Sequence, residues 1–355
     1  MAASRVVLVT GVSRYLGGRF ARLLSADPSV SRVIGVDVVP PAGDIGSAEF
    51  MRADIRNPVI GKVINSAGVD TVVHMNVIAT PTGAGGRVSM KEINVIGTMQ
   101  LLAACQKAAG VRRLVVKSTA GVYGSSPRDP AMFSEDTGAK VMPRAGWEKD
   151  SVEVEGYVRG FSRRRQDVDV VTLRLANFMG PQVETPLTDY FRLPLVPKVL
   201  GFDPRLQFIH EDDGMEAMRL ATLGAMTGTI NVAGDGVLLL SQAIRMTGRP
   251  TVSIPGRLSG PIGQVLRRAG LADFSPEQVR FLSFGRGMDT TRMRTVLGLE
   301  PRYTTREAFA DFVDQRGLTG PLAPGVIDNA ERVVAGWLTQ LPGQTAGGRS
   351  NGSQP

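Results

Sequence analysis

The chain of 355 residues holds one cysteine, two histidines and two tryptophans. Cys105 has no partner for an internal disulfide, which fits a reducing compartment. Its place in the helical pattern "LLAACQKA" reads as a small buried hydrophobe, not a nucleophile. With only His74 and His210, and neither CxxC nor HExxH, no metal site is expected. A serine hydrolase is set aside, because no GxSxG elbow and no histidine suited to serve one are present. No apolar run approaches the roughly 20 residues of a membrane span. The N-terminus lacks the basic, apolar and small-residue parts of a secretory signal, so a cytoplasmic location is expected. The net charge of +8 comes mainly from scattered arginines. The one dense cluster, Arg163 to Arg165, falls at a helix end, where cations complement the macrodipole. No aromatics interleave with it, so no nucleic-acid partner is expected. An anionic small molecule suits the basic balance better.

What is present is alternation. The runs "RVVLVT", "RVIGVD", "DTVVHMN", "RRLVVKST" and "VDVVTLRLANF" read as strands buried on both faces of a parallel sheet. Between them lie helical stripes, one at Leu16, Phe20, Leu23 and Leu24, another at Val154, Tyr157, Val158 and Phe161. The fold class is therefore α/β, a Rossmann-type doubly wound parallel sheet with a smaller C-terminal substrate lobe. The boundaries read as a dinucleotide-binding domain over 1–178 and a substrate lobe over 179–317, interleaved with the core. A C-terminal amphipathic helix over 318–341 and a disordered tail over 342–355 follow.

The stretch "RVVLVTGVSRYLGGRF" ends a strand in Thr-Gly and opens a helix. Gly11 permits the tight turn, Gly17 allows close helix–sheet packing, and amides at the helix start suit a pyrophosphate. Asp37 ends the second strand twenty residues beyond Gly17, where a carboxylate accepts hydrogen bonds from an adenosine ribose and repels a 2′-phosphate. NAD is the expected cofactor, with NADP less favoured.

These residues, with "RADI", "VVHMN", "NVIGT", "VVKSTAGVYG" and "LRLANFMGP", resemble the extended short-chain dehydrogenases/reductases, the NAD-dependent epimerase/dehydratase family that includes UDP-glucose 4-epimerase. The resemblance covers residues 5–315. The family loop TGxxGxxG here reads "TGVSRYLG", with Arg14 at the middle glycine; compact relatives carry TGxSRGxG, where an arginine favours NADP. The resemblance implies that Ser13, Arg14, Tyr15, Leu16, Asp54, Ile55, Met75, Asn76, Asn94, Lys117 and Ser118 line or brace the cofactor site. His74, in a buried strand pattern, reads as structural.

The family mechanism uses a Ser/Thr hydroxyl on the substrate oxygen, a Tyr that transfers the proton, and a Lys four residues later that holds the nicotinamide ribose and lowers the Tyr pKa. Thr119, four before Tyr123, matches the hydroxyl position. The family's YGxSKxxxE segment aligns with "AGWEKDSVE", so Lys149 matches the lysine and Ala145 stands at the tyrosine. None of the seven lysines has a tyrosine four residues before it, so no shift of register restores the pair. Three readings stay open. A substitute acid/base, Tyr123, Glu148 or Asp150, serves an oxidoreductase. Alternatively, the protein is a non-catalytic NAD(P)-binding sensor or scaffold. In the third, Thr119, Lys117 and Lys149 serve a less demanding reaction. Lys117 either sits near the cleft with a lowered pKa or leans to the surface.

On the substrate side the resemblance implies a nucleotide sugar, with Asn177 near its diphosphate and Arg292 near the substrate. His210 and Asp213 match the stretch RDYIHxxD, but its phosphate-binding arginine falls on Leu206. Arg205 lies one residue away, on the opposite face of a strand unless a bulge intervenes. The resemblance also implies a homodimer through the helices that contain Asn94 and Lys149.

Overall fold

The computed structural model describes residues 5–75, 85–255 and 276–319. The chain begins with β1 (Arg5–Thr10), α1 (Tyr15–Ser25), β2 (Val30–Asp37), β3 (Glu49–Arg52), α2 (Val59–Ser66) and β4 (Thr71–His74). α3 (Arg87–Lys91) passes through a π-helical stretch, Glu92–Gly97, into α4 (Thr98–Lys107). There follow β5 (Arg113–Thr119), α5 (Gly146–Arg164), β6 (Asp169–Leu175), β7 (Asn177–Met179) and α6 (Pro186–Arg192). Shorter elements come next: β8 (Val196–Val199), β9 (Arg205–Leu206), β10 (Phe208–His210), α7 (Glu211–Leu223) and β11 (Gly228–Val232). The rest are β12 (Leu238–Leu239), α8 (Leu240–Met246), β13 (Thr251–Ile254), α9 (Pro276–Phe284), α10 (Thr291–Thr295) and α11 (Thr305–Gln315).

Seven strands make the central sheet in the order β11-β6-β5-β4-β1-β2-β3, every pair parallel. Its strands read as unbroken apolar runs because both faces are covered. Val7, Val9, Val115 and Val171 pack with Phe20, Leu24 and Met218, on the side of α1 and α7. Leu8, Val72, Leu114 and Val116 pack with Ile60, Leu101, Val158 and Phe161, on the side of α2, α4 and α5. Residue-by-residue alternation along β1 and β5 divides these two cores. The strand order reverses between β1 and β4, so the crevice at their carboxyl ends is where an open α/β sheet takes its ligand.

One expected strand is two. The run "VDVVTLRLANF" leaves the sheet at Ala176, whose N–H donates to the Val232 carbonyl at 2.9 Å. β7 then pairs with β10. Gly214 on α7 makes room for this departure, since a Cβ there would stand 2.2 Å from the Phe178 ring. The C-terminal helix over 318–341 and the tail over 342–355 lie almost wholly outside the described residues.

Candidate active site

Where β1, β5 and β6 end, a cavity of about 450 Å³ opens. The glycine loop forms one wall. Gly11 takes φ 80°, a left-handed conformation that favours glycine, and the Arg14 N–H closes the turn onto the Gly11 carbonyl at 3.3 Å. A Cβ on Gly17 would lie 2.0 Å from that carbonyl oxygen, so α1 approaches the strand as only glycine permits. Ser13, Arg14, Tyr15, Leu16 and Gly17 all face the cavity. Asp37 braces the loop: its carboxylate accepts from the Ser13 N–H at 3.1 Å and hydroxyl at 2.5 Å, and from the Val38 N–H at 2.8 Å.

The second wall is β5. Strand alternation turns Ser118 to the α5 side, where its hydroxyl donates to Glu155 at 2.6 Å, although it still borders the cavity. Lys117 and Thr119 share the opposite face, and both line the cavity. Of the two alternatives for Lys117, the cleft is the one observed. Its ammonium makes no hydrogen bond or ion pair with any described residue. Burial first, and the Arg14 charge second, pull its pKa down to about 8. Met75 lines the cavity beside it; Asn76 lies outside the described residues. His74 bridges Thr10 and Thr98 at 2.9 and 2.8 Å, and burial holds it neutral with a pKa near 4, so it is structural. Thr98 donates its own proton to the Asn94 carbonyl, which leaves Nε2 of His74 as the protonated nitrogen.

The third wall comes from α5, and here the expected residues change places. Glu148 and Trp147 face the cavity. Each helical residue turns about 100° from the last, so Lys149 points aside. It is 43% exposed, pairs with Glu153 at 3.7 Å and does not line the cavity. Glu148 is 4% exposed, its Cγ beside Gly121, and its Oε2 has no hydrogen-bond partner among the described residues. Burial drives its carboxyl up to about 7, opposed by its own backbone hydrogen bond and by Arg286, and helped by Glu277. Arg286 lies in the same wall, its Nε donating to the Gly124 carbonyl at 2.8 Å and its guanidinium 5.2 Å over the Phe281 ring.

The other candidate acid/bases are otherwise engaged. Asp150 is fully buried and accepts twice from Arg87, at 2.5 and 2.7 Å. Tyr123 is sealed away from the cavity: its hydroxyl meets Asn231 at 2.7 Å and Arg174 at 2.9 Å, and its ring stacks on Phe133. Burial raises its pKa. Tyr123 therefore holds the core together, where the sequence suggested chemistry.

Other expected positions divide. Asn177 lines the cavity. Asp54 is clamped by Arg56 at 2.7 Å, Ile55 packs under Gly97, and buried Asn94 donates to Asp150 at 3.3 Å; none of the three lines the cavity. Leu206 is buried and Arg205 exposed, on opposite faces of β9 with no bulge, and Arg205 borders a separate cavity of about 330 Å³. Arg292 is spent on Asp136 at 2.5 Å and Glu135 at 3.8 Å. Trp147, Arg286, Gln278 and the loop 182–187 enter the cavity without having been expected. Trp147 was within reach of the sequence, because the stripe through Val154 and Val158 extends back to 147–148, reaching Glu148, already a candidate acid/base, and passing Lys149 by. Cys105 is buried and its thiol pushed up to about 12, hence inert.

A dinucleotide fits this donor set. Arg14, the residue before the first turn of α1, lines the cavity where a helix amino end favours a diphosphate. The glycine contact lets its backbone come close.

Residues 7–233 match the model of the NAD dependent epimerase/dehydratase family. An uncharacterized protein of Mycobacterium tuberculosis is 49% identical over 324 residues, 90% of this chain and 86% of that protein. A UDP-glucose 4-epimerase of Mycolicibacterium smegmatis is 27% identical over 327 residues, 86% of this chain and 97% of that one. Among solved structures, UDP-glucuronic acid 4-epimerase from Bacillus cereus, in complex with UDP-glucuronic acid and NAD, aligns with TM-score 0.67 and 18% identity, over 88% of this chain and 99% of that one.

Proposed function

The chain belongs to the NAD-dependent epimerase/dehydratase family, and from that premise we propose that it is an NAD-dependent oxidoreductase or isomerase acting on a hydroxyl or keto carbon, in the first instance of a nucleotide sugar. When bound, the nicotinamide supplies hydride exchange with that carbon. The side chains do the rest. Thr119 donates a hydrogen bond to the reacting oxygen. Glu148 takes or returns its proton in place of the tyrosine that Ala145 replaces, with a pKa suited to either direction near neutrality. Asn177 and the loop 182–187 border the space left for the rest of the substrate.

One observation carries this reading: a buried carboxyl oxygen without a partner, in the cavity that also holds Thr119. Turnover is followed by nicotinamide absorbance and product across a panel of nucleotide sugars. Thr119→Ala and Glu148→Gln should each lower kcat/KM by roughly a hundredfold or more. A panel without turnover, despite coenzyme binding, removes the enzyme reading.

A second reading, a dinucleotide-binding sensor or scaffold, is favoured by the outward position of Lys149 and the sealed hydroxyl of Tyr123. Ala145→Tyr separates the two: activity created by that change, where the parent has none, supports the sensor. The homodimer is part of the proposal, supported by the exposed Ile96, Met99 and Tyr157 on the π-helical stretch, α4 and α5; light scattering on the eluted protein tests it.

A further inference from the structure

We propose that Lys117, and not Lys149, is the lysine that faces the nicotinamide end of the bound coenzyme, so that the positive charge of the site has moved from helix α5 to strand β5. This rests on the dinucleotide reading above. Lys117 and Thr119 project from one face of β5, about 7 Å apart along the strand, and Thr119 marks the reacting end. Lys117 is the one lysine among the described residues that line the cavity. Its neighbours among the described residues leave its charge unanswered: Arg14 is another cation, and His74, bonded to two threonines, is held neutral by burial. Lys149 is already paired with Glu153 on the outer flank of α5.

A cation there distinguishes the two coenzyme forms, because the oxidised nicotinamide ring is positively charged and the reduced ring is not. Like charges several ångströms apart in an enclosed site repel strongly enough to bias binding by tenfold or more. The protein should therefore hold NADH more tightly than NAD⁺.

Calorimetric titration of the full chain with each form at pH 7 tests this. Wild type is expected to prefer NADH. Lys117→Met should cut that preference at least tenfold, chiefly by tightening NAD⁺, and Lys117→Arg should keep it. Lys149→Met should leave it unchanged. Removing an unpaired enclosed charge does not endanger folding, and Lys117→Gln serves as the second variant. An undiminished preference in Lys117→Met and Lys117→Gln, or its loss in Lys149→Met, overturns the proposal. Wild-type protein that binds neither form removes the dinucleotide reading itself, a different result.

Discussion

Replacing Glu148 with glutamine should make the protein more stable and less active at once, and both effects should track pH. Burial moves this carboxyl from 4.5 up to about 7. Below pH 4.5 it is protonated in the folded and unfolded chains alike, so it contributes no difference. Between 4.5 and 7 the unfolded chain releases the proton while the folded chain keeps it. Stability then falls as pH rises, by about 1.4 kcal/mol per pH unit. Above 7 the loss levels off at about 3 kcal/mol. Glutamine keeps the shape and never ionises, so it escapes that loss. The stability gap between Glu148→Gln and wild type should be small at pH 5 and reach about 3 kcal/mol at pH 8, equivalent to roughly 5 °C in Tm for a chain this long. Urea unfolding at pH 5, 6, 7 and 8 measures the gap, and kcat/KM on the same preparations should fall by about 10²–10⁴. A gap that stays flat across this range would show that Glu148 does not titrate where its burial places it. A variant of undiminished turnover would show that it does not carry the proton.

Arg286 attracts the ionised form of Glu148, so Arg286→Met should move the midpoint of the pH–kcat/KM profile upward by roughly half a unit or more; an unmoved midpoint separates the two residues. Tyr123→Phe removes the donor to buried Asn231 Oδ1 and one acceptor of Arg174 and should cost about 1–3 kcal/mol of stability while kcat stays within about twofold; a large drop in kcat with unchanged Tm would return Tyr123 to the chemistry. Gly17→Ala sets a methyl against the Gly11 carbonyl, and NAD should no longer raise its Tm; an undiminished thermal shift would mean that the coenzyme binds elsewhere.

The sheet was legible because its strands are buried on both faces, so apolar runs and parallel pairing coincide. The glycine loop was legible because φ 80° at Gly11 and the contact at Gly17 each demand glycine. What stayed hidden depended on helix phase and on distant segments. Aligning "AGWEK" with the family motif put Lys149 in the site and left Glu148 as one of three substitute acid/bases, whereas the packed stripe of α5 turns Glu148 to the cavity and Lys149 away. Nothing near Arg286 in sequence announces that it meets Gly124 and Ser125 across more than 160 positions. Tyr123 misled for the same reason. Its motif position suggested chemistry, but Asn231 from β11 and Phe133 from the β5–α5 connection claim it.

The energetics of the cavity bear on enzyme against scaffold. A site that only holds a dinucleotide gains from the Gly11–Gly17 loop, Arg14 and the amino end of α1, and it needs no carboxyl buried without a partner. Glu148 destabilises the folded chain at neutral pH by about 3 kcal/mol, a large share of an ordinary domain's margin. Its own backbone hydrogen bond and the Arg286 charge offset only part of this: Oε2 has no hydrogen-bond partner among the described residues, and Arg286 is itself buried, with its pKa drawn down to about 10. Lys117 repeats the pattern on the facing wall, without a hydrogen bond or ion pair to any described residue. An acid near 7 and an amine near 8 in one cavity with a threonine hydroxyl are poised for proton transfer at physiological pH, and groups so perturbed concentrate where chemistry is done. Two other buried carboxylates among the described residues are answered, Asp150 by Arg87 and Glu155 by Arg174 and Ser118. That contrast with Asp150 and Glu155 supports the proposed enzyme over the scaffold.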